Sequence, residues 1–498
     1  MKTKIFTLLL AMVASLGMLN AEIINNVTFD NLNYKVDTEA KTAEVQSASS
    51  SAYGDIVVPA SIIYEEQPYS VTSIGAGAFY ERSDVTGVSI PSSVTSIGEN
   101  AFYNSGLTSV TIPNNVTNMG EGAFRECFYL TSVIIGNGIT NISGWAFCEC
   151  SHLTAVSIPS NIISIGEQAF AQCYGLTNVT ISNGVASIED AAFYQCSELT
   201  SITIPNSVSS IGSSAFKDCT SLTDVIVGEN VTSIGKNAFT HCTAITTVIW
   251  NAKECSNDGN FENQIKSFTF GNKVEIIPAK CCYGMNQLTS IAIPASVNSI
   301  GDKAFQGCSL ITSVAIPDGV TYIGKYAFGK CTNLASIVLP SSIKAIEEDA
   351  FWKCTSLTSI TIPDGVTDIK TSAFLDCTSL GIVTIPNTVT TIMDKAFKGC
   401  TNLNEIRNHG ISPANAYSDA FDGVNKSTCK LYVPKNSISL YQNAAVWRDF
   451  YNVDEVEKVA AIDDIEVDDV NGKKVIRNGK VYILRGEKTY TMQGQEAK

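Results

Sequence analysis

The segment that decides the fold is Ala169-Phe170-Ala171-Gln172-Cys173-Tyr174-Gly175-Leu176-Thr177-Asn178-Val179-Thr180-Ile181. Its pattern recurs along almost the whole chain, and its phenylalanine returns at a step of 23 residues at Phe147, Phe170, Phe193, Phe216 and Phe239, and again at Phe305, Phe328, Phe351, Phe374 and Phe397. A fixed period of about 20–50 residues is typical of a solenoid or another repeat array. The sequence therefore predicts one repeat structure in place of several globular domains.

Each repeat divides into a strand and a return segment. In residues 357–369, Ile360 and Ile362 fall on one side of a β-branched run, which is typical of a strand. Pro363 follows, and proline suits a strand end because it lacks an amide donor. One unit cannot bury its apolar side alone, so copies must stack at about 4.8 Å per strand. We predict a curved rod with a long parallel β-sheet, built from about 15–16 coils of about 23 residues and capped at both ends.

The first 21 residues have the pattern of a secretory signal peptide. Lys2 and Lys4 give a positive start, residues 5–19 form an apolar run, and Ala21 suits a cleavage site. No other run approaches the roughly 20 apolar residues that a membrane helix needs. We therefore expect an exported protein that is secreted or associated with the outer membrane at the cell surface, with no transmembrane span.

Composition and the extent of the repeat divide the chain into six segments. They are a signal peptide at 1–21, an N-terminal β cap at 22–71, the repeat solenoid at 72–434, a C-terminal helical cap at 435–453, an acidic linker at 454–470 and a small β tail at 471–498. Caps are expected because the first and last layers of an array would otherwise meet water. For the C-terminal cap we predict a helix over 437–447, with Leu440, Tyr441, Ala444 and Trp447 on one face.

The repeat loses its register once, in an irregular coil at 240–285. Phe239 and Cys282 are 43 residues apart, which is less than two full steps, yet strands fit at 245–250 and 265–270. A turn-rich segment lies between them. We interpret this coil as a decayed repeat, and the alternative is a surface bulge that a partner contacts.

The repeat unit Leu-x-x-Ile-x-Ile-Pro-x-x-Val-x-x-Ile-Gly-x-x-Ala-Phe-x-x-Cys resembles the BspA-like leucine-rich repeats of bacterial surface and secreted proteins, over about residues 71–434. The tail segment 489–495 is similar to C-terminal modules that Bacteroidetes place on exported proteins, some of them signals for the type nine secretion route. The resemblance implies a leucine-rich-repeat-like solenoid and an adhesin-like role toward host matrix or bacterial surface proteins. It implies no residue-level binding motif.

Eleven cysteines keep the repeat step: Cys127, Cys150, Cys173, Cys196, Cys219, Cys242, Cys308, Cys331, Cys354, Cys377 and Cys400. Ser105 and Met285 replace cysteine in two coils, so the position needs a small or pliable buried side chain and no covalent bond. We predict a ladder of free thiols. Among the remaining cysteines, Cys255 and Cys281 form the pair that we select as a candidate disulfide.

The charge and the polar residues argue against several kinds of function. The net charge of −15 disfavours nucleic-acid binding, which needs a basic surface, and acidity most simply promotes solubility. The three histidines, His152, His241 and His409, are too far apart in sequence to suggest a metal site. The outward positions of the strands are nearly free of acids and bases. We therefore expect no enzyme, no catalytic residue, no metal and no cofactor.

Variation between repeats concentrates beside the phenylalanine position. A solvated edge is the simpler interpretation, but exposed aromatic residues anchor many interfaces. The candidate partner-binding residues are Tyr103, Tyr194, Tyr326 and Trp352. The predicted function is an exported, surface-associated, adhesin-like protein that presents its solenoid to protein partners. The alternative is a glycan-binding accessory protein or a structural protein of the cell envelope.

Overall fold

The computed structural model describes residues 22–255, 261 and 263–456, and the backbone of 467–469, 472–477, 480–485 and 488–491. The predicted signal peptide and most of the predicted linker lie outside the described residues. Residues 22–456 contain a parallel β-solenoid of about 16 coils with about 23 residues per coil. The predicted fold class is therefore confirmed.

One long face of the solenoid carries a strand from nearly every coil, and we call these the front strands. They are Gly54–Val57, Val85–Ser89, Ser109–Thr111, Ser132–Ile134, Ala155–Ile158, Asn178–Ile181, Ser201–Thr203, Asp224–Val227, Thr247–Trp250, Ser267–Phe270, Ser313–Ala315, Ser336–Val338, Ser359–Thr361, Ile382–Ile385, Glu405–Asn408, Lys430–Val433 and Asn452–Glu455. Neighbouring front strands pair in parallel, as Val156 does with Val179. Their inward aliphatic side chains are buried, including Ile360 and Ile362.

A second face carries two-residue side strands on the return segments. They are Ser96–Ile97, Asn118–Met119, Asn141–Ile142, Ser164–Ile165, Ser187–Ile188, Ser210–Ile211, Ser233–Ile234, Ile276–Ile277, Ser299–Ile300, Tyr322–Ile323, Ala345–Ile346, Asp368–Ile369, Thr391–Ile392 and Asn415–Ala416. They also pair in parallel, coil to coil. In twelve of these fourteen pairs the second residue is a buried isoleucine, for example Ile165 and Ile188.

The N-terminal end is covered by strands β1 (Ile23–Phe29), β2 (Leu32–Asp37), β3 (Thr42–Ala48), β5 (Ser61–Tyr64) and β6 (Gln67–Ile74), while Gly54–Val57 is β4. Strands β1, β2 and β3 are antiparallel, and β3 pairs in parallel with β6. Strand β6 also pairs with the first side strand. This segment and the array therefore share one hydrogen-bonded sheet.

The C-terminal end differs from the single helix predicted over 437–447. Helix α1 covers only Ile438–Asn443, with short 3-10 turns at Lys435–Ser437 and Trp447–Asp449. The prediction was wrong because Ala444 is extended and Val446 has a φ of 68°, which ends the helix early. Leu440, predicted on the same face as Tyr441, is also exposed, whereas Tyr441 is buried.

Two buried aromatic residues fix this end. The Tyr441 hydroxyl donates to the Gly410 carbonyl at 3.0 Å, and the Trp447 indole donates to the Ala414 carbonyl at 2.8 Å. Beyond the last solenoid strand, Val467–Asp469, Gly472–Arg477, Lys480–Arg485 and Lys488–Thr491 form a small antiparallel sheet.

The recurring phenylalanines form a stack through the core. Successive rings lie 4.8–5.8 Å apart and within 18° of parallel, from Phe79 to Phe261 and again from Phe305 to Phe421. Except for Phe261, Phe351 and Phe421, these rings are 0% exposed. Stacked aromatic pairs stabilise beyond the area that they bury, so this stack joins each coil to the next.

Within the irregular coil, Phe261 continues the stack, with its ring 5.0 Å from that of Phe239. The sequence pattern did not identify this residue, because both steps in this region are short. Cys282 takes the next phenylalanine position, since its N–H donates to the Ala304 carbonyl at 2.8 Å as the N–H of Phe305 does to its own neighbour. The region is therefore two shortened repeats.

The small Cys282 side chain leaves space that front-strand rings fill. Phe268 lies 6.1 Å from Phe261, Phe270 lies 5.1 Å from Phe268, and Phe305 lies 6.4 Å from Phe270, measured between ring centroids. Aromatic contact thus continues across the coil that lacks a phenylalanine, and the core is unbroken.

The ladder cysteines are buried with free thiols, which confirms that prediction. Each thiol also donates to a carbonyl of the preceding coil at 3.0–3.3 Å, which is the phenylalanine carbonyl except for Cys308, where it is that of Cys282. Cysteine therefore supplies both a small apolar group and a weak donor.

The candidate pair Cys255 and Cys281 is also buried. Burial, and then the nearby Cys281, raise the pKa of Cys255 to about 12. The two side chains are thus neighbours, and their disulfide stays a prediction.

A ladder of threonine hydroxyls runs just before the front strands. Each donates to the backbone carbonyl of the equivalent threonine in the preceding coil at 2.9–3.4 Å, at Thr108, Thr131, Thr154, Thr177, Thr200 and Thr223. These bonds explain the recurring Leu-Thr pair, because the leucine is buried while the threonine links coils from outside.

We expect Phe193→Ala to lower the free energy of unfolding by about 3–5 kcal/mol, since it removes a buried ring with a stacked neighbour on each side. The control Thr203→Ala, at an exposed front position, should change it by less than about 0.5 kcal/mol. Urea unfolding followed by circular dichroism measures both. Equal effects would contradict the stacked core.

The thiol ladder also predicts a loss of stability in alkali. Burial raises the pKa of Cys331 and of Cys400 to about 12, whereas an unfolded thiol has a pKa of about 8.5. At neutral pH both states are protonated. Between about pH 8.5 and about pH 12 only the unfolded chain loses these protons, so each cysteine lowers stability by about 1.4 kcal/mol per pH unit.

Urea midpoints at neutral pH and near pH 10 test this prediction. The variant Cys331→Ala/Cys400→Ala should be less stable than the parent at neutral pH, because it loses two buried groups. It should then lose less additional stability on going to alkali. An unchanged pH dependence would show that these thiols do not resist ionisation.

Candidate functional site

The part of the chain that the structure describes has no group of three or more His, Cys, Asp or Glu placed to hold a metal ion. Within the same residues, no helix has both the length and the apolar character to cross a membrane. His241 contacts Asp218, with 2.7 Å between Nδ1 and the carboxylate.

A shallow groove of about 470 Å³ lies at the ends of three front strands. Its walls are Thr361, Ile362, Pro363, Asp364, Thr384, Pro386, Asn387 and His409. Asp364 and His409 are its ionisable side chains, and the other polar groups are threonine hydroxyls and one amide. This set offers hydrogen bonds to a ligand but does not form a recognisable catalytic arrangement.

Tyr103, one of the predicted partner-binding residues, is only partly exposed. Its ring stacks on Tyr80 at 4.7 Å, and its hydroxyl donates to Glu126 at 2.6 Å. That hydrogen bond, with burial, raises the pKa of Tyr103 to about 12. The Arg125 guanidinium lies over the same ring at 5.8 Å, so much of this side chain is occupied within the chain.

The other three candidates are also partly exposed, and lysines cover their rings. Lys217 lies 5.8 Å from Tyr194. Lys303 lies 5.4 Å from Tyr326, while Lys330 and Lys353 lie 4.9 and 5.2 Å from Trp352. The structure brings Tyr326 and Trp352 together in an edge contact at 6.1 Å. A partner role for the four candidates stays a prediction.

More open aromatic residues lie, in three successive coils, at the corner that follows the ladder cysteine. We define the corner patch as Phe128, Tyr129, His152 and Tyr174, which come from three successive coils. The exposed fractions are 36% for Phe128, 60% for Tyr129 and 43% for Tyr174, and His152 is also exposed. The corner patch is thus an aromatic surface open to solvent.

Contacts within the corner patch order its members. The His152 ring stacks on Tyr129 at 6.3 Å, and its Nδ1 lies 2.6 Å from the Phe128 carbonyl oxygen. Gln172 donates to the Tyr174 hydroxyl at 3.0 Å. The rings are therefore held in place and remain accessible.

The fold does not require aromatic residues at this corner. Other coils place small polar residues there, for example Thr220-Ser221, Thr332-Asn333 and Thr355-Ser356. Sequence reasoning missed the patch because it compared the positions beside the phenylalanine. Aligning the coils at the cysteine and comparing the two residues that follow it would have found these aromatic residues.

Charge is distributed unevenly along the solenoid. Residues 42–216 contain 14 acidic side chains and two basic ones, whereas residues 217–456 contain 22 and 19. The two basic residues of the first part are both paired, Arg82 with Asp84 at 2.9 Å and Arg125 with Glu126 and Glu149 at 3.5 and 3.8 Å. The corner patch therefore lies in a strongly acidic part of the protein.

The front sheet offers a second, less distinctive surface. Many of its middle outward positions are small or aliphatic, and Ile134 and Val338 are exposed there, whereas Arg407 and Tyr432 take this position near the C-terminal end. The middle positions Thr111, Thr203 and Thr361 are exposed hydroxyls. This strip has few groups that would select one ligand over another.

The model of the BspA type leucine rich repeat region matches the chain in six overlapping copies, at 72–200, 142–264, 186–312, 256–381, 298–428 and 369–464. A comparison with curated proteins finds no match. These copies cover most of the chain.

Solved structures of leucine-rich repeat proteins are similar to the chain. A leucine rich cell surface protein from Faecalibacterium prausnitzii is 30% identical, with 78% of this chain and 96% of that chain covered and a TM-score of 0.39. A leucine-rich repeat protein from Bacteroides ovatus is 25% identical, with 68% and 95% covered and a TM-score of 0.42. Because the repeat model matches well over half of the length of this chain, the chain belongs to the BspA-type leucine-rich repeat family.

Proposed function

We propose that this protein is an exported, surface-associated, non-catalytic binding protein of adhesin type, which presents its solenoid to protein partners. The observation that carries the proposal is the corner patch, where exposed aromatic residues replace the small polar residues of other coils. Aromatic side chains are the usual anchors of protein interfaces. Leucine-rich repeat proteins of this family are typically surface-associated, which supports the proposed location.

The proposal assigns roles to the ends of the chain. Residues 1–21 would direct export, and residues 471–498 would form a sorting module after the predicted linker at 454–470, whose first two residues lie in the last front strand. The caps at 22–71 and 435–453 would close the repeat solenoid at 72–434. Mass spectrometry of the exported protein would test the first role, because cleavage after Ala21 leaves Glu22 at the N-terminus.

A glycan-binding accessory protein is the second candidate function. Exposed rings such as Tyr129 and Tyr174 also suit sugars, which stack on aromatic faces. Protein partners are favoured because the patch lies in the part of the chain with 14 acidic and two basic residues, and carboxylates attract basic side chains but have no counterpart on a neutral sugar.

Binding of the chain from residue 22 to fibronectin, to fibrinogen and to a glycan array tests the proposal. We expect binding to at least one protein, and a loss of about tenfold or more in affinity in the variant Tyr129→Ser/Tyr174→Thr. The substituted residues are those that other coils carry at this corner, so the fold should persist. The control Tyr451→Ser, which changes a tyrosine that is 77% exposed near the C-terminal end, should bind as the parent does.

Binding to glycans with none to proteins would favour the accessory function. Absence of binding in both would contradict the proposed function. Circular dichroism of each variant serves as the folding control, since the solenoid signal should not change.

A further inference from the structure

Resting on the proposed function, we propose that the corner patch binds a cationic protein segment, in which arginine or lysine side chains alternate with apolar ones. The apolar side chains would pack on Phe128 and Tyr174, and the cations would lie over the aromatic faces and against the carboxylates beside them.

The acidic character of this region supports a cationic partner. No lysine occurs between Lys41 and Lys217, and both arginines of that interval are paired with carboxylates. An excess of negative charge steers positively charged partners to the surface and orients them on approach. The corner patch is thus an apolar surface within a negatively charged part of the protein.

Two carboxylate-bearing residues lie close to the patch along the chain or in the neighbouring coil. Glu198 occupies the same corner position as Tyr129 and His152, two coils beyond His152, and it is exposed. Its N–H donates to the Tyr174 carbonyl at 3.3 Å, which places the backbone of Glu198 next to that of Tyr174. Glu149 lies one residue before the ladder cysteine of the His152 coil. A guanidinium at the patch would therefore meet both rings and carboxylates.

The protein already contains this arrangement within itself. The Arg125 guanidinium lies between the rings of Trp145 and Tyr103, at 4.7 and 5.8 Å, and contacts the carboxylates of Glu126 and Glu149. Arginine favours this combination because its planar group stacks on aromatic faces while it donates to carboxylates. The corner patch offers the same two kinds of group to a partner.

The aromatic residues of the corner patch differ from others in the chain because no cation of the described residues lies over their rings. Lysines of the chain lie over Tyr194, Tyr326 and Trp352. In the part of the chain described here, no lysine or arginine lies over the rings of Phe128, Tyr129 or Tyr174. We infer that the partner supplies the cation at this site.

Fluorescence anisotropy with two labelled peptides tests the proposal on the chain from residue 22. One peptide alternates arginine with leucine, and the other replaces every arginine by glutamate. We expect the arginine peptide to bind and the glutamate peptide not to bind. Affinity for the arginine peptide should fall as NaCl rises from about 0.05 to about 0.5 M, since salt screens the exposed charges.

The affinities of variants distinguish binding at the corner patch from general electrostatic attraction to an acidic protein. Tyr129→Ser/Tyr174→Thr leaves the net charge unchanged and should weaken binding about tenfold. Glu149→Gln/Glu198→Gln should weaken binding and reduce its salt dependence. Tyr451→Ser should have no effect. Equal affinity of the parent and the tyrosine variant would overturn the proposal, because attraction would then be unspecific.

The outcomes also distinguish this inference from the proposed function. If fibronectin or fibrinogen binds the parent and the tyrosine variant equally well, the function stands and the corner patch is not its site. If the variant loses only a glycan signal, the patch binds sugars and a cationic partner is excluded. If no protein binds the parent, the proposed function itself fails.

Discussion

The structure depends on the contact that each coil makes with the next at its phenylalanine. A single coil has no core of its own, so its apolar side chains are buried only by stacking. The backbone also makes contacts between coils and adopts unusual conformations at this stack. The N–H groups of Ala191 and Phe193 donate to carbonyls of the following coil at 2.8 Å, and Ala191 and Gln195 adopt φ values of 53° and 58° on either side of the ring. These left-handed conformations are unfavourable for residues other than glycine, and the stacked core and the coil-to-coil hydrogen bonds offset them.

This constraint explains why the fold could be predicted from the sequence. A buried ladder needs the same residue at the same step, and the period therefore reveals both the phenylalanine stack and the cysteine ladder. The prediction of the core positions failed where the spacing between repeats changed. Phe261 was missed because its coil is short, although the ring at its position still stacks on Phe239. The C-terminal helix was overextended because nothing in the sequence pattern marks the left-handed conformation of Val446.

On the surface, the relation between the repeat pattern and the structure is different. Surface positions need no repeat, so a departure from the pattern carries information about function. The sequence identified aromatic residues beside the phenylalanine, but the accessible surface of a ring depends on its neighbours. Trp352 is covered by Lys330 and Lys353, whereas Tyr129 stacks only on His152 and stays open. Lys353 is next to Trp352 in sequence, but Lys330 and His152 come from neighbouring coils, and their placement required the structure.

Hydroxyl-radical footprinting with and without the arginine–leucine peptide tests the central claim most directly, because it reports the solvent exposure of individual side chains. The claim is that the solenoid binds its partner through the corner patch. It predicts that bound peptide protects Tyr129 and Tyr174 from oxidation while Tyr326, Trp352 and Tyr451 react as before. Protection of Tyr326 and Trp352, or of the front strip at Ile134 and Val338, with unchanged oxidation of Tyr129 and Tyr174, would contradict it.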